Sequence, residues 1–242
     1  RGGVGDDTLV GSNGNDILMG EAGADVLHGG LAIDAANYSQ ATSGVRANLT
    51  TPASNYGDAL GDTFFSVENL VGSAFADILV GDSGANQIVG FGGNDSIDYR
   101  DYTTTLVLVD LFTGTATNIM GGAAGGLVAG IGGGADDNSI ENAIGGSAND
   151  VIAGDNDDNI LGDGPGNDYL NGGGFKPNDS AAVFQPGVAG FIGAGTSGDD
   201  IFRIEPISGS NDIIQDIAGS DTVDFRFATA GVGDAITSFV MV

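Results

Sequence analysis

The amino-acid sequence predicts an all-β fold, a parallel solenoid of very short strands joined by tight turns. Three observations predict it: a nine-residue repeat with one apolar residue in a constant place, 45 glycines recurring in phase with it, and an acidic charge carried almost wholly by Asp. A fixed period of this kind marks stacked units, each of which buries its apolar residue only against its neighbours.

The repeats run in order along the chain. Residues 2–10 read GGVGDDTLV, residues 11–19 GSNGNDILM and residues 20–28 GEAGADVLH, and GGLAID at 29–34 begins a fourth copy. Gly stands at position one, Gly or Ala at four, Asp at six and, where the copy is complete, Leu at eight. The phase returns at 72–80, 81–89 and 90–98, and again at 145–153, 154–162 and 163–171. Apolar residues at a step of nine, from Leu9, Leu18 and Leu27 to Leu161 and Leu170, are more than a flexible Gly-rich linker requires. A longer unit lies over the short one. SVENLVGSAFADIL (66–79) resembles SIENAIGGSANDVI (139–152), and tracts richer in β-formers, VRANL (45–49) and LVLVDLF (106–112), precede them. These landmarks predict three modules: a first roll over 1–103, a second over 104–180 with a Gly/Ala-rich excursion at 113–138, and looser repeats or a cap over 181–242.

Charge limits the partners. The 33 acidic and 6 basic residues give a net charge of −27, and Glu occurs only at Glu21, Glu68, Glu141 and Glu205. Nucleic acid and anionic membrane would be repelled, whereas cations would be attracted. There is no Cys and only His28, so neither a thiolate nor a two-histidine metal site is available. No apolar run approaches the roughly 18 residues of a membrane span. At 41% apolar residues the chain is not an ordinary disordered acidic tail.

The spacing has a chemical reading. Six residues that hold three or four small, flexible positions and end in a carboxylate suit a tight turn, and three residues alternating around one apolar side chain suit a short strand. Two nonapeptides then make one coil, so acidic slots eighteen residues apart stack: Asp7 with Asp25, Asp16 with Asp34, Asp77 with Asp95, and Asp150 with Asp168. Ordering each repeat costs more conformational entropy than one buried Leu or Ile offsets, and stacked carboxylates repel. A divalent cation between coils reverses that repulsion. Calcium fits best, because it accepts six to eight oxygens from flexible loops, whereas magnesium demands a smaller octahedral site. Folding and metal binding are expected to be one event.

These repeats resemble the repeats-in-toxin family of hemolysin-type calcium-binding nonapeptides. The resemblance implies a right-handed parallel β-roll with multiple calcium ions along the turns, and export as an unfolded chain by a type I system of a Gram-negative bacterium. Carried over slot by slot, it implies carboxylate ligands at Asp7, Asp16, Asp25, Asp34, Asp77, Asp95, Asp150 and Asp168, completed by carbonyls such as those of Gly3 and Gly5. Asn86 and Asn159 replace Asp in the acidic slots, and Glu68 and Glu141 are longer than the pattern; weak or empty sites are expected there. Two extra residues at 172–179 predict a bulged turn, and the apolar end AITSFVMV is either a secretion signal or a terminal strand.

Two functions fit. One is an extracellular structural protein, a surface layer, filament, matrix or adhesin stalk, built from copies of the chain. The other is the calcium-dependent C-terminal module of a secreted hydrolase, a protease or lipase, whose catalytic domain lies upstream; Arg1 opens inside a repeat, as expected for a piece of a longer chain. No catalytic constellation is read within these residues, and His28, at position nine of its repeat, is expected to be a strand residue.

Overall fold

The computed structural model describes residues 1–82, 84, 86–100, 107–110, 115–118, 127–129, 140–148, 150–154, 158–165, 168–172, 201–203, 213–215 and 222–224. The bulge at 172–179 lies, beyond Gly172, outside the described residues, as do the apolar C-terminal end and most of the Gly/Ala-rich tract. The first strands are β1 (Gly3–Val4), β2 (Thr8–Asn13), β3 (Ile17–Leu18), β4 (Glu21–Ala22), β5 (Val26–Leu31) and β6 (Ala35–Asn37). Next come β7 (Arg46–Asn48), β8 (Thr63–Phe65), β9 (Asn69–Val71), β10 (Ile78–Val80), β11 (Ile88–Val89) and β12 (Ser96–Asp98). The remainder are β13 (Val107–Asp110), β14 (Thr115–Asn118), β15 (Leu127–Ala129), β16 (Asn142–Ile144), β17 (Val151–Ala153), β18 (Ile160–Gly162), β19 (Tyr169–Asn171), β20 (Ile201–Arg203), β21 (Ile213–Gln215) and β22 (Thr222–Asp224). The only helix among the described residues is two 3-10 turns, Pro52–Ser54 and Gly57–Ala59. No helix there is long and apolar enough to cross a membrane.

The chain forms two compact units, one built mainly on Arg1–Ile97 and the other mainly on residues from Asp98 onward. In the first, β2, β5 and β8 form one parallel sheet, β3, β6, β9 and β11 a second, and β7, β10 and β12 a third. The eighteen-residue coil holds wherever the repeats are uninterrupted: Thr8 pairs with Val26, Ile17 with Ala35, Leu70 with Ile88, and Ile78 with Ser96. Extra chain between Asn37 and Thr63 lengthens the step without breaking the sheets, so that Val26 pairs with Thr63 and Ala35 with Asn69. Such insertions are tolerated because lengthening a loop adds little closure entropy.

The second unit repeats the arrangement. β16 pairs with β18 and β17 with β19 at the same step, and β18 continues to β20 and β22, all parallel. The LVLVDLF tract gives β13, which runs parallel to β17 and antiparallel to β14, a hairpin the repeat pattern does not predict.

The core is one apolar side chain thick per strand. Position eight points inward in these repeats: Leu9 lies beside Leu27, Leu18 beside Ala36, then Leu70 and Ile88, and Leu79 beside Ile97. Each of these is buried, and Leu27, Leu70, Leu79, Ile88 and Ile97 are wholly so. In the second unit Ala143, Ile152, Leu161 and Leu170 fill the same place. His28 faces outward at position nine, as expected, with its ring stacked on that of Phe65 at 4.5 Å. The described residues thus form the parallel β-roll that the nonapeptides predict.

Candidate calcium site

The acidic slots stack into columns, and the structure shows how. The Asp7 N–H donates to Asp25 Oδ1 at 2.8 Å, and the Asp16 N–H to Asp34 Oδ1 at 2.7 Å. The Asp77 N–H donates to Asp95 Oδ1 at 2.8 Å and the Asp150 N–H to Asp168 Oδ1 at 2.6 Å. All four pairs are eighteen residues apart, as the spacing predicts. Each carboxylate meets a backbone donor of the preceding coil with one oxygen, which offsets part of the expected repulsion between coils and leaves the other oxygen to be satisfied.

That second oxygen explains the glycine at position one. Asp Oδ2 folds back over the start of its own repeat, and a Cβ added at Gly2 or Gly11 would come within 2.6 Å of Asp7 Oδ2 or Asp16 Oδ2 respectively. Gly20 and Gly29 are held in the same way by Asp25 and Asp34, and Gly72 and Gly145 by Asp77 and Asp150. At these positions any side chain would collide with the carboxylate. Gly3 and Gly5 serve a different need, with φ of 108° and 110°, the left-handed region that glycine enters freely.

The oxygens differ in what they find. Asp77 is furnished with donors: its Oδ1 accepts from the Val45 N–H and the Ser73 hydroxyl, and its Oδ2 from the Ser73 N–H. In the second unit the Gly146 N–H donates to Asp150 Oδ2 at 2.6 Å. By contrast, the Oδ2 atoms of Asp16, Asp25 and Asp34 are buried with no hydrogen-bond partner. Burial holds the Asp25 carboxyl above the usual range, with the negative charges of Asp7 and Asp6 adding to the effect and the Asp7 N–H opposing it. An isolated buried carboxylate oxygen is costly unless a positive charge meets it. A hard, oxygen-seeking cation fits that need. Among the described residues no three His, Asp or Glu side chains gather as a metal-binding group. Backbone oxygens must therefore supply much of any shell.

Sequence reading missed one column member. The Asp25 N–H donates to Asp62 Oδ1 at 2.9 Å, thirty-seven residues on, so Asp7, Asp25 and Asp62 form one column. Asp62 is fully buried, and its Oδ2 accepts from the Tyr38 hydroxyl at 2.8 Å. Burial pushes its carboxyl up to about 6, the nearby charges of Asp25 and Asp58 contributing in the same direction. The signal was present: GDALGDTFF at 57–65 is a nonapeptide with Asp62 at position six, masked by Leu60 at position four. Position five was overlooked too, for Asp6 Oδ1 accepts from the Ala24 N–H and Asn15 Oδ1 from the Ile33 N–H, each one coil on.

The irregular slots behave differently from the Asp slots. Glu68 Oε2 accepts from the Asp34 N–H at 2.8 Å, its extra methylene reaching across a step of thirty-four residues. At Asn86 and Asn159 the side-chain nitrogen faces the preceding coil and donates, to the Glu68 carbonyl at 2.7 Å and the Glu141 carbonyl at 3.0 Å.

Comparison with known families agrees with this geometry. Residues 1–35, which contain the partnerless Oδ2 atoms of Asp16, Asp25 and Asp34, match the RTX calcium-binding nonapeptide repeat. Residues 86–240 match the family described as peptidase M10 serralysin C terminal. No curated protein matches the sequence. Neither family match is to a catalytic domain, and together they indicate a secreted, calcium-binding module consistent with type I secretion. Matched over more than half its length, the chain belongs to the serralysin C-terminal family of the M10 peptidases and carries calcium-binding RTX repeats in its first coils.

Proposed function

We propose that the chain is a calcium-triggered folding module of a secreted hydrolase of the peptidase class, whose catalytic domain lies on a preceding segment of a longer polypeptide. One observation carries the calcium reading: the buried, donorless Oδ2 atoms of Asp16, Asp25 and Asp34 fall within the stretch that matches the calcium-binding repeat. Asp7, Asp16, Asp25 and Asp34 are assigned as the principal carboxylate ligands, with carbonyls of turn residues such as Gly3 and Gly5 completing the shells. Asp77, Asp95, Asp150 and Asp168 form a second set, and Asp62 extends the first. Calcium supplies positive charge and oxygen-coordinating capacity where the fold buries anionic oxygen. Without it the core, one side chain thick, is too thin to hold the coils, so the chain leaves the cell unfolded and orders outside.

Circular dichroism during a calcium titration tests this. A disordered spectrum in chelator and a β spectrum at millimolar calcium are expected, with magnesium ineffective at the same concentration. A β spectrum that survives exhaustive chelation, or equal rescue by magnesium, sinks the reading.

A second reading, assembly into a layer, filament, matrix or adhesin stalk, has one observation in its favour. The outer face of β2, β5 and β8 aligns Val10, His28 and Phe65, with Val10 63% and Phe65 51% exposed, and Ile17, Leu31 and Ile33 are exposed as well. Solvent-facing apolar residues invite contact with another copy. Electron microscopy after calcium addition decides: ordered polymers support assembly, and a monodisperse monomer at high concentration removes it.

A further inference from the structure

The two Asn slots share a construction that the Asp slots lack. In an Asp column the slot residue offers its N–H to the carboxylate of the next coil and its carbonyl to the strand beyond, as Asp16 does toward Asp34 Oδ1 and the Ala35 N–H. At Glu68 the peptide is turned over. Only three residues, 66–68, separate β8 from β9, with Ser66 at φ 49°, and the Glu68 N–H donates backward to the Asp34 carbonyl at 3.1 Å. What Glu68 presents to the following coil is therefore an acceptor. A carboxylate there would face a carbonyl oxygen.

Asn86 matches the reversed polarity. Its Nδ2 donates to the Glu68 carbonyl at 2.7 Å and to Asp82 Oδ1 at 2.9 Å, and its Oδ1 accepts from the Asp82 N–H at 2.9 Å. Both amide hydrogens are used, and the side chain is buried. One residue on, the Gln87 N–H donates to Asn69 Oδ1 at 2.7 Å. The second unit repeats both arms: Asn159 Nδ2 donates to the Glu141 carbonyl at 3.0 Å, and the Ile160 N–H to Asn142 Oδ1 at 2.9 Å. A Glu-Asn pair and an Asn eighteen residues later thus form the same neutral, two-point clasp twice.

We propose that Asn86 and Asn159 are calcium-free clasps, in which an amide donor holds adjacent coils where the Asp columns use a cation, and that these junctions interrupt the file of calcium sites. The inference takes its contrast from the calcium reading above, but its test is separate. Equilibrium dialysis at saturating calcium counts ions bound per chain, and the β signal gives the calcium midpoint. For Asn86→Ala and Asn159→Ala the count is expected to stay unchanged while the midpoint rises by about twofold, since a buried hydrogen bond is lost but no ligand. Asn86→Asp is expected to raise the midpoint further, because its carboxylate meets the Glu68 carbonyl. Loss of one ion in either Ala variant, or a lower midpoint in Asn86→Asp, overturns the proposal. Crystals of the unaltered chain grown with calcium give a check independent of variant folding. Anomalous density no farther than about 2.6 Å from Asn86 Oδ1 or Asn159 Oδ1 would mark a coordinated ion and overturn it; none there supports it. A chain that stays ordered in chelator would end the calcium-folding reading and leave the ion count to decide the clasp.

Discussion

Asp62 places a titratable group where the fold can least afford its charge. It is buried between the Asp25 N–H and the Tyr38 hydroxyl, and its carboxyl is raised from 3.8 to about 6. Asp25 and Asp77 are raised as well, in both cases chiefly by burial. A carboxyl whose folded value lies above its unfolded value binds protons more tightly when folded, so acidification favours the fold. For Asp62 that gain is complete below 3.8 and is lost as pH rises through about 6. In chelator, therefore, the chain is expected to show more β structure at about pH 5 than at about pH 7.5. Asp62→Asn keeps an acceptor for the Asp25 N–H without the charge, and is expected to retain more order at the higher pH and to gain less on acidification. Circular dichroism across that range measures both; a flat response of the unaltered chain in chelator would refute the argument. With calcium present the sign reverses at the ligands, because protons compete with the metal for the same oxygens.

Strands of two or three residues carry no stability of their own, so each element depends on the side chain it sends inward. Leu70 is fully buried in the row Leu18, Ala36, Leu70 and Ile88, beside an Ala that cannot fill a vacated space. Leu70→Ala is expected to cost about 2–5 kcal/mol and to raise the calcium midpoint, whereas Val10→Ala, on the outer face, should stay within about 0.5 kcal/mol. Chelator titrations of the two variants compare them directly, and equal effects would mean that position eight is not the core. The row was legible in the sequence because a step of nine fixes both the inward residue and the eighteen-residue partner. The partners of β5 and β6 were not, since the steps of thirty-seven and thirty-four residues at Asp25 and Asp34 depend on an insertion whose length the sheet does not constrain. Asp62 was hidden by that insertion. Asn86 and Asn159 were visible as departures from Asp, but their role was not, because it depends on the backbone carbonyls of Glu68 and Glu141, whose direction no side-chain pattern records.

Across the whole molecule a net charge of −27 opposes compaction whatever the local slots do. Two effects of added salt can then be told apart. Monovalent ions screen: at about 1 M the Debye length falls to about 3 Å, which relieves repulsion between distant carboxylates in the unfolded chain. They do not coordinate the donorless oxygens of Asp16, Asp25 and Asp34 as a divalent ion does, nor bridge one coil to the next. Sodium chloride in chelator is accordingly expected to shrink the radius of gyration measured by X-ray scattering while the circular dichroism stays that of a disordered chain; calcium at a thousandth of that ionic strength or a little more should both shrink the chain and produce the β spectrum. If sodium chloride alone brought up the β spectrum, the missing ingredient would be relief of the overall charge and not specific ligation at the columns, and the assignment of Asp16, Asp25 and Asp34 as metal ligands would fall with it.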